Sequence, residues 1–197
     1  MARVRMNIFF LHRNPRRCAQ YHCDKHVNKM IIESCQLLYS SHYALGCPVP
    51  STGYKKTHLK HPCALWLLES IENYLWLVSL AWELLDEYRF RYGQHKMHKC
   101  DLHLVWLESN IPPLPLVRMT EPRLAMHDEY KCGDALSSYR NYYRVSKLQE
   151  RGIVKYTNRS PPTFLQIQSE PVAGPLEERV EAVPSVTARP VSESAEN

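Results

Sequence analysis

The fold is decided by residues 61–92, which read HPCALWLLESIENYLWLVSLAWELLDEYRFRY. Apolar residues recur there close to the spacing of one helical face, at Leu65, Leu68, Leu75, Val78, Trp82 and Leu85. Proline is favoured at the first position of a helix, and glycine just beyond the last. The pattern therefore predicts a long central core helix that opens at His61-Pro62 and stops at Gly93.

Three further helices are predicted around this one, over residues 15–41, 96–109 and 135–151. The side chains of Asn14 and Asp134 suit helix N-termini, because each can accept a hydrogen bond from free backbone N–H groups. Pro112 disfavours helical geometry in the residue before it, so the helix predicted over residues 96–109 must end before Pro112. The sequence thus predicts an all-α fold, a single helical domain of four to five helices.

The segments outside these helices differ in character. Residues 6–11 are a short apolar run, either an edge strand or an extended segment tucked against helices. Residues 46–60 form a polar loop, and residues 110–123 an irregular crossing. From residue 166 to 197 the chain is rich in Glu, Pro, Ser, Val and Ala without any period, which predicts a disordered acidic tail after a domain over residues 6–165.

The composition indicates a soluble protein with a polyanionic partner. The seven cysteines stand singly, which favours a reducing cytoplasm, and no apolar stretch is long enough to cross a membrane. The net charge is +5, but residues 1–165 hold 23 Lys and Arg against 14 Asp and Glu, a net charge of +9. Lysine and arginine near phosphates release condensed counterions, so double-stranded DNA is the expected partner.

The candidate catalytic residues are His22, His26, Lys29 and Glu33. On one continuous helix their side chains fall within about 60° of arc. Imidazoles move protons, Lys29 can meet a phosphate or leaving group, and Glu33 can act as a base. Two other interpretations stay open: a solvated face with i,i+4 pairs, and a zinc site in which Cys18 joins the two histidines. No second motif supplies a further ligand, so no metal or cofactor is predicted.

A second group of residues is predicted to contact DNA or phosphate. Its members are basic side chains that flank the catalytic helix, lie in the polar loop or follow residue 135: Lys25, Lys55, Lys56, His58, His61, Arg140, Arg144 and Lys147. Basic residues mixed with tyrosines suit phosphate contact and base stacking. The alternatives are a merely solvated loop and tyrosines that only pack in the core.

The sequence resembles a family of small bacteriophage proteins over about residues 6–165. The resemblance is carried by CAQYHCDKHVNKM at 18–30, THLKHPC at 57–63, MHDEY at 126–130, YRNYY at 139–143 and NR at 158–159. Members are commonly labelled pyrimidine dimer DNA glycosylases, by similarity to repair enzymes of the endonuclease V type. In that type the N-terminal α-amine attacks the sugar and a carboxylate assists. The resemblance implies that Glu33 is the carboxylate, and that the amine lies next to the matching region if synthesis starts at Met6 rather than Met1.

A second class of phage enzyme fits the charges better and is the favoured function. Such an enzyme transfers a free amino acid onto pyrophosphorylated 5-hydroxymethyluracil in DNA, in the cytoplasm of the host. Lys25, Lys29 and His26 would hold the departing pyrophosphate, while Glu33 or His22 deprotonates the incoming amine. Either enzyme would flip its base out of the duplex. The third hypothesis is a helical DNA-binding module without catalysis.

Overall fold

The computed structural model describes residues 6–149, 152 and 155–165, all within the first of the chain's two units, residues 1–167. Its α-helices are α1 Pro15–Tyr21, α2 Asp24–Ala44, α3 Pro62–Leu67, α4 Ile71–Tyr92, α5 Asp101–Ser109 and α6 Ala135–Tyr142. A π-helical turn, Tyr143–Gln149, continues α6, and 3-10 turns occupy Asp128–Tyr130 and Thr163–Leu165. The described residues contain no strand, so the all-α prediction is confirmed. The predicted tail, 166–197, lies outside them.

Helix α4 is the centre of the fold. It packs most extensively against α2 and α1, and its apolar face buries Tyr74, Leu77, Leu80 and Leu84 completely. The helix ends where the sequence predicted, at Gly93, whose φ of 121° an L side chain rarely adopts. The prediction of a central core helix is confirmed. Within the described residues, no helix is long and apolar enough to cross a membrane.

The predicted helix over 61–92 is divided in two, which corrects the expectation of one continuous element. It does open at Pro62, with His61 as N-cap, but α3 ends at Leu67 and α4 starts afresh after Ser70. The Ser70 hydroxyl accepts a hydrogen bond from the N–H of Glu72 and donates one to the carbonyl of Val117. Serine favours N-caps over helix interiors because its hydroxyl competes for backbone groups.

The predicted helix over 15–41 is also divided, at His22 and Cys23, whose backbones are extended. The N–H of Cys23 donates to the hydroxyl of Tyr143 at 2.9 Å, and the N–H of Asp24 donates to the carbonyl of Lys155 at 2.8 Å. These partners lie far away in the sequence, so helical spacing gave no sign of them. His22 therefore does not share a helix with His26, and the single-helix stripe is wrong.

The other two predicted helices begin or end differently. Helix α5 starts at Asp101 rather than near 96, because the Asp101 carboxylate accepts from the N–H of His98 and the His98 imidazole accepts from the N–H of Cys100. The helix predicted over 135–151 is α-helical only to Tyr142 and π-helical to Gln149. Residues 150 and 151 lie outside the described part.

The N-terminal apolar segment, residues 6–11, lies buried among the helices as irregular chain that joins no sheet. Side chains satisfy its backbone: Asn7 Oδ1 accepts from the N–H groups of Ile8 and Phe9, and Cys18 Sγ accepts from that of Leu11. Of the two alternatives for this run, the structure shows the segment tucked against helices.

A buried ionic network joins α4 to the start of α2. The Arg91 guanidinium is fully buried and donates to Glu87 Oε1 at 2.7 Å, to Asp24 Oδ1 at 3.0 Å and to the carbonyl of Gln20 at 3.2 Å. Arg159 binds the other oxygen of Glu87. Removal of one partner from such a network leaves an uncompensated buried charge.

The substitution Arg91→Met is therefore expected to lower the free energy of unfolding by about 3–5 kcal/mol, measured by urea denaturation. The matched control is Arg13→Met, because Arg13 is 68% exposed and reaches Glu121 only at 3.8 Å. That control should change stability by less than about 1 kcal/mol. Equal effects of the two substitutions would contradict the assignment of Arg91 as a buried support.

Candidate active site

Three of the four predicted catalytic side chains are buried despite the break between α1 and α2. His22, His26 and Glu33 are each at most 4% exposed. Phe9 lies between the imidazoles, with ring centroids 6.1 Å from His22 and 4.8 Å from His26. We call these four residues, together with Tyr142, Tyr143 and Lys147, the interior cluster. Lys29, the fourth predicted residue, lies at its edge with 42% of its side chain exposed.

Glu33 is the acidic group of the interior cluster. Its Oε2 accepts a hydrogen bond from the backbone N–H of Asn7 at 2.9 Å, and Lys29 Nζ lies 3.1 Å from Oε1. Burial raises the pKa of the Glu33 carboxyl, and the charges of Lys29 and Lys147 with the Asn7 hydrogen bond oppose that rise. The carboxyl is thereby brought nearer to the range in which it can both take and return a proton. The Lys29 contact is also the i,i+4 pair that the solvated-face interpretation expected.

His26 is an uncharged imidazole held by Tyr143. Its Nδ1 lies 2.7 Å from the Tyr143 hydroxyl and 3.4 Å from Cys23 Sγ. Burial lowers the pKa of His26 to about 2, and the nearby His22, Lys147 and Lys29 act in the same direction. An imidazole with this pKa is a weak base, so its contribution near neutral pH is a fixed dipole.

His22 is also uncharged, and one of its nitrogens has no hydrogen-bond partner. Its Nδ1–H donates to the carbonyl of Cys18 at 2.7 Å, which leaves Nε2 as the unprotonated acceptor. That Nε2 is buried and unpartnered in the structure. Burial is the main reason that the pKa of His22 is lowered to about 4. Both imidazoles are therefore uncharged near neutral pH.

Phe9 is a member of the cluster that the sequence analysis missed. Its ring stacks on Tyr142 with centroids 5.9 Å apart and meets Tyr143 edge-on at 5.1 Å. Its backbone has a φ of 41°, a left-handed conformation that is strained for a phenylalanine. The only signal in the sequence was the apolar run itself, which does not distinguish a core residue from a site residue.

The residues predicted to contact phosphate divide into exposed and internal groups. Lys25, Lys55, Lys56 and His58 are exposed, and Lys25 is close enough to His26 to lower its pKa. His61 is half-buried, where its Nδ1 accepts from the N–H of Cys63 as the N-cap of α3.

The three basic residues predicted after residue 135 do not form one outward face. Arg140 Nε donates to the carbonyl of Leu11 at 2.9 Å, and its guanidinium lies 5.1 Å from the ring centroid of Phe164. Arg144 donates to Asn141 Oδ1 at 3.2 Å. Lys147 is buried in the interior cluster, with only 7% of its surface exposed. Their roles in binding DNA stay predictions.

The side chains considered for zinc have other partners. Cys18 Sγ accepts from the N–H of Leu11 and donates to the carbonyl of Phe9, both at 3.4 Å, while His22 uses Nδ1 on the Cys18 carbonyl. Across the part of the chain that the structure describes, no group of three or more His, Cys, Asp or Glu side chains is placed to hold a metal ion.

Residues 6–100 match the model of a family described as pyrimidine dimer DNA glycosylase. This part of the chain is similar to that family. The matched region begins at the buried N-terminal segment, includes all four predicted catalytic residues and stops before α6 and Lys147. The family resemblance inferred from the sequence is confirmed over these residues. No curated protein and no solved structure matches the chain significantly.

The buried His22 should make stability depend on pH. In the unfolded chain a histidine takes a proton below a pKa of about 6.5, whereas folded His22 stays uncharged down to about 4. The free energy of unfolding therefore falls as pH drops from 6.5 to 4. The substitution His22→Gln should make this fall shallower in urea denaturation at a series of pH values. An unchanged slope would contradict the assignment, and His58→Gln, at an exposed position, is the control.

Proposed function

We propose that this protein is a DNA glycosylase that removes a damaged pyrimidine from double-stranded DNA. The observation that carries the proposal is the placement of Glu33, a buried carboxylate bonded to the backbone of Asn7 at the start of the family-matched region. The family description names base excision, and the resemblance implies a carboxylate beside an N-terminal amine. The Asn7 nitrogen lies 2.9 Å from Glu33 Oε2.

The chemistry proposed for Glu33 follows from its burial and its neighbours. As the bond from the base to C1′ breaks, positive charge develops on the deoxyribose, and a nearby carboxylate stabilises it. The raised pKa of Glu33 also suits the removal of a proton from an amine nucleophile. Phe9 and Tyr142 stack on each other in the interior, and the partly exposed Lys29 marks the edge at which phosphate would lie.

DNA binding is assigned to the exposed basic residues. Lys25, Lys55, Lys56 and His58 are exposed, and residues 1–165 carry a net charge of +9. Lys25 and Lys29 both act electrostatically on the buried His26, so they lie near the cluster. Phosphate contacts of this kind position a duplex without reading its sequence.

Amino acid transfer, the function favoured by the sequence analysis, has less support. The family match names excision and gives the transfer reaction, and a free amino acid partner, no support. The lowered pKa of His26 also leaves an uncharged ring where the transfer hypothesis placed a cation for pyrophosphate. Transfer is therefore an alternative outcome of the excision experiment: amino acid mass added to the modified nucleoside, without release of a base.

The substitution Glu33→Gln should lower the rate of base release from ultraviolet-irradiated DNA by about 100-fold or more, since it removes proton transfer while keeping the acceptor for Asn7. The measurement is strand cleavage at excised sites after alkali treatment. Glu83→Gln, the same change on α4, should excise like the wild type. If the wild type binds irradiated DNA but releases no base, the protein is a DNA-binding module without catalysis and the glycosylase proposal is wrong.

The double substitution Lys55→Ala/Lys56→Ala should weaken binding to duplexes of any sequence. The slope of log K against log salt should become shallower by about 0.9 for each phosphate that the variant no longer neutralises. Fluorescence anisotropy with undamaged DNA at several salt concentrations measures both effects. Arg118→Ala, an exposed charge on the crossing over 110–123, is the control. A double variant with the wild-type slope would remove this loop from the DNA interface.

A further inference from the structure

Lys147 is a buried amine within the interior cluster. Its Nζ donates to the hydroxyl of Tyr142 at 3.0 Å and lies 4.5 Å from the centroid of the Tyr142 ring. The same Nζ lies 5.6 Å from the ring centroid of Phe9. An aromatic-walled interior is the kind of surrounding in which lysine amines act as nucleophiles. A lysine that served only to meet phosphate would be expected at the surface.

The π-helical turn Tyr143–Gln149 explains how Lys147 reaches this place. In an α-helix, residues five apart differ by about 140° around the axis. In a π-helix the backbone bonds link residues five apart, so Tyr142 and Lys147 come onto one face. Such turns occur frequently at functional sites. The change from α-helix to π-helix after Tyr142 therefore places the Lys147 amine in the interior.

The amine lies within electrostatic range of the proposed general base. The charge of Lys147 opposes the rise that burial causes in the pKa of Glu33, and it adds to the lowering of the pKa of His26. Lys29 is the other amine near Glu33, but its Nζ is ion-paired at 3.1 Å and its side chain is 42% exposed, which suits phosphate. The backbone nitrogen of Asn7 is an amide in this chain and is bonded to Glu33.

We propose that Lys147 is the amine that attacks C1′ of the deoxyribose, an inference that rests on the proposed glycosylase function. Glu33 takes a proton from the Lys147 ammonium, and the lone pair so freed on Nζ forms the bond to C1′. The bond between C1′ and the base breaks with its electron pair going to the base, which takes up the proton held by Glu33. Glu33 then removes a second proton from the nitrogen, the bond between C1′ and O4′ opens as the nitrogen lone pair forms the iminium, and O4′ takes up that second proton. No oxidant or reductant is required.

The test uses the full chain and a duplex that holds one abasic site, with sodium borohydride present. Hydride reduces an iminium to a stable amine, so the wild type should form a covalent protein–DNA adduct. Peptide mapping of that adduct should place the sugar remnant on Lys147. Lys147→Ala and Lys147→Arg should lose the adduct, whereas Lys99→Ala, a control at an exposed lysine outside the interior cluster, should retain it.

Several results would overturn the proposal: no adduct with the wild type, a remnant on Lys29 or on the N-terminal residue, or undiminished trapping by the Lys147 variants. Mapping on the wild type decides the matter even if a variant fails to fold. Because the abasic substrate carries no base, its outcome is separate from excision. If irradiated pyrimidines are excised but the sugar remnant is found on another residue, the role of Lys147 is ruled out and the glycosylase function stands. If the remnant is found on Lys147 but no pyrimidine is excised, the glycosylase function is ruled out and the covalent role of Lys147 stands.

Discussion

The structure depends on the burial of an irregular segment, residues 6–11, in the middle of a helical core. A chain that forms neither helix nor sheet leaves its backbone polar groups without regular partners, and each of these must find one once water is excluded. Side chains supply them: Glu33 for the N–H of Asn7, Cys18 for that of Leu11, and Arg140 for the carbonyl of Leu11. The carboxylate proposed for catalysis is thus also a structural partner of the segment that places Phe9.

This double use of Glu33 sets the electrostatics of the interior cluster. The imidazoles of His22 and His26 are uncharged because burial lowers the pKa of each. One carboxylate therefore lies among the positive charges of Lys29 and Lys147 and two neutral rings. The cluster holds a proton acceptor, Glu33, within 3.1 Å of the Lys29 amine. Under the proposed function, the neutral imidazoles would act as dipoles that do not compete with Glu33 for the proton.

The sequence predicted those features of the fold whose causes are local. Pro62 and Gly93 mark helix ends through their own backbone preferences, and the period of α4 follows from its apolar face. The breaks at His22 and Ser70 depend on Tyr143, Val117 and other groups distant in sequence, so periodicity could not reveal them. The same distinction applies to the site. Helical spacing pointed to His26, Lys29 and Glu33, whereas the inward turn of Lys147 required a change of helix type.

Several departures from ordinary protein structure occur together in this cluster, although Ser34 and Ser41 also bury an unpartnered hydroxyl and His58 and Asn158 are also left-handed. The left-handed backbone of Phe9 costs about 1–3 kcal/mol for a residue of its kind, and His22 Nε2 is buried without a partner. Glu33 and Lys147 are charged residue types of a kind seldom buried. Elsewhere a buried charge such as Arg91 is fully paired, so these exceptions do not reflect loose packing in general. Natural proteins tolerate such conflicts mainly at functional sites, where the strained or unpaired groups act on a ligand. The coincidence of strain, unpaired nitrogen and buried amine therefore argues for chemistry at this place independently of the family match.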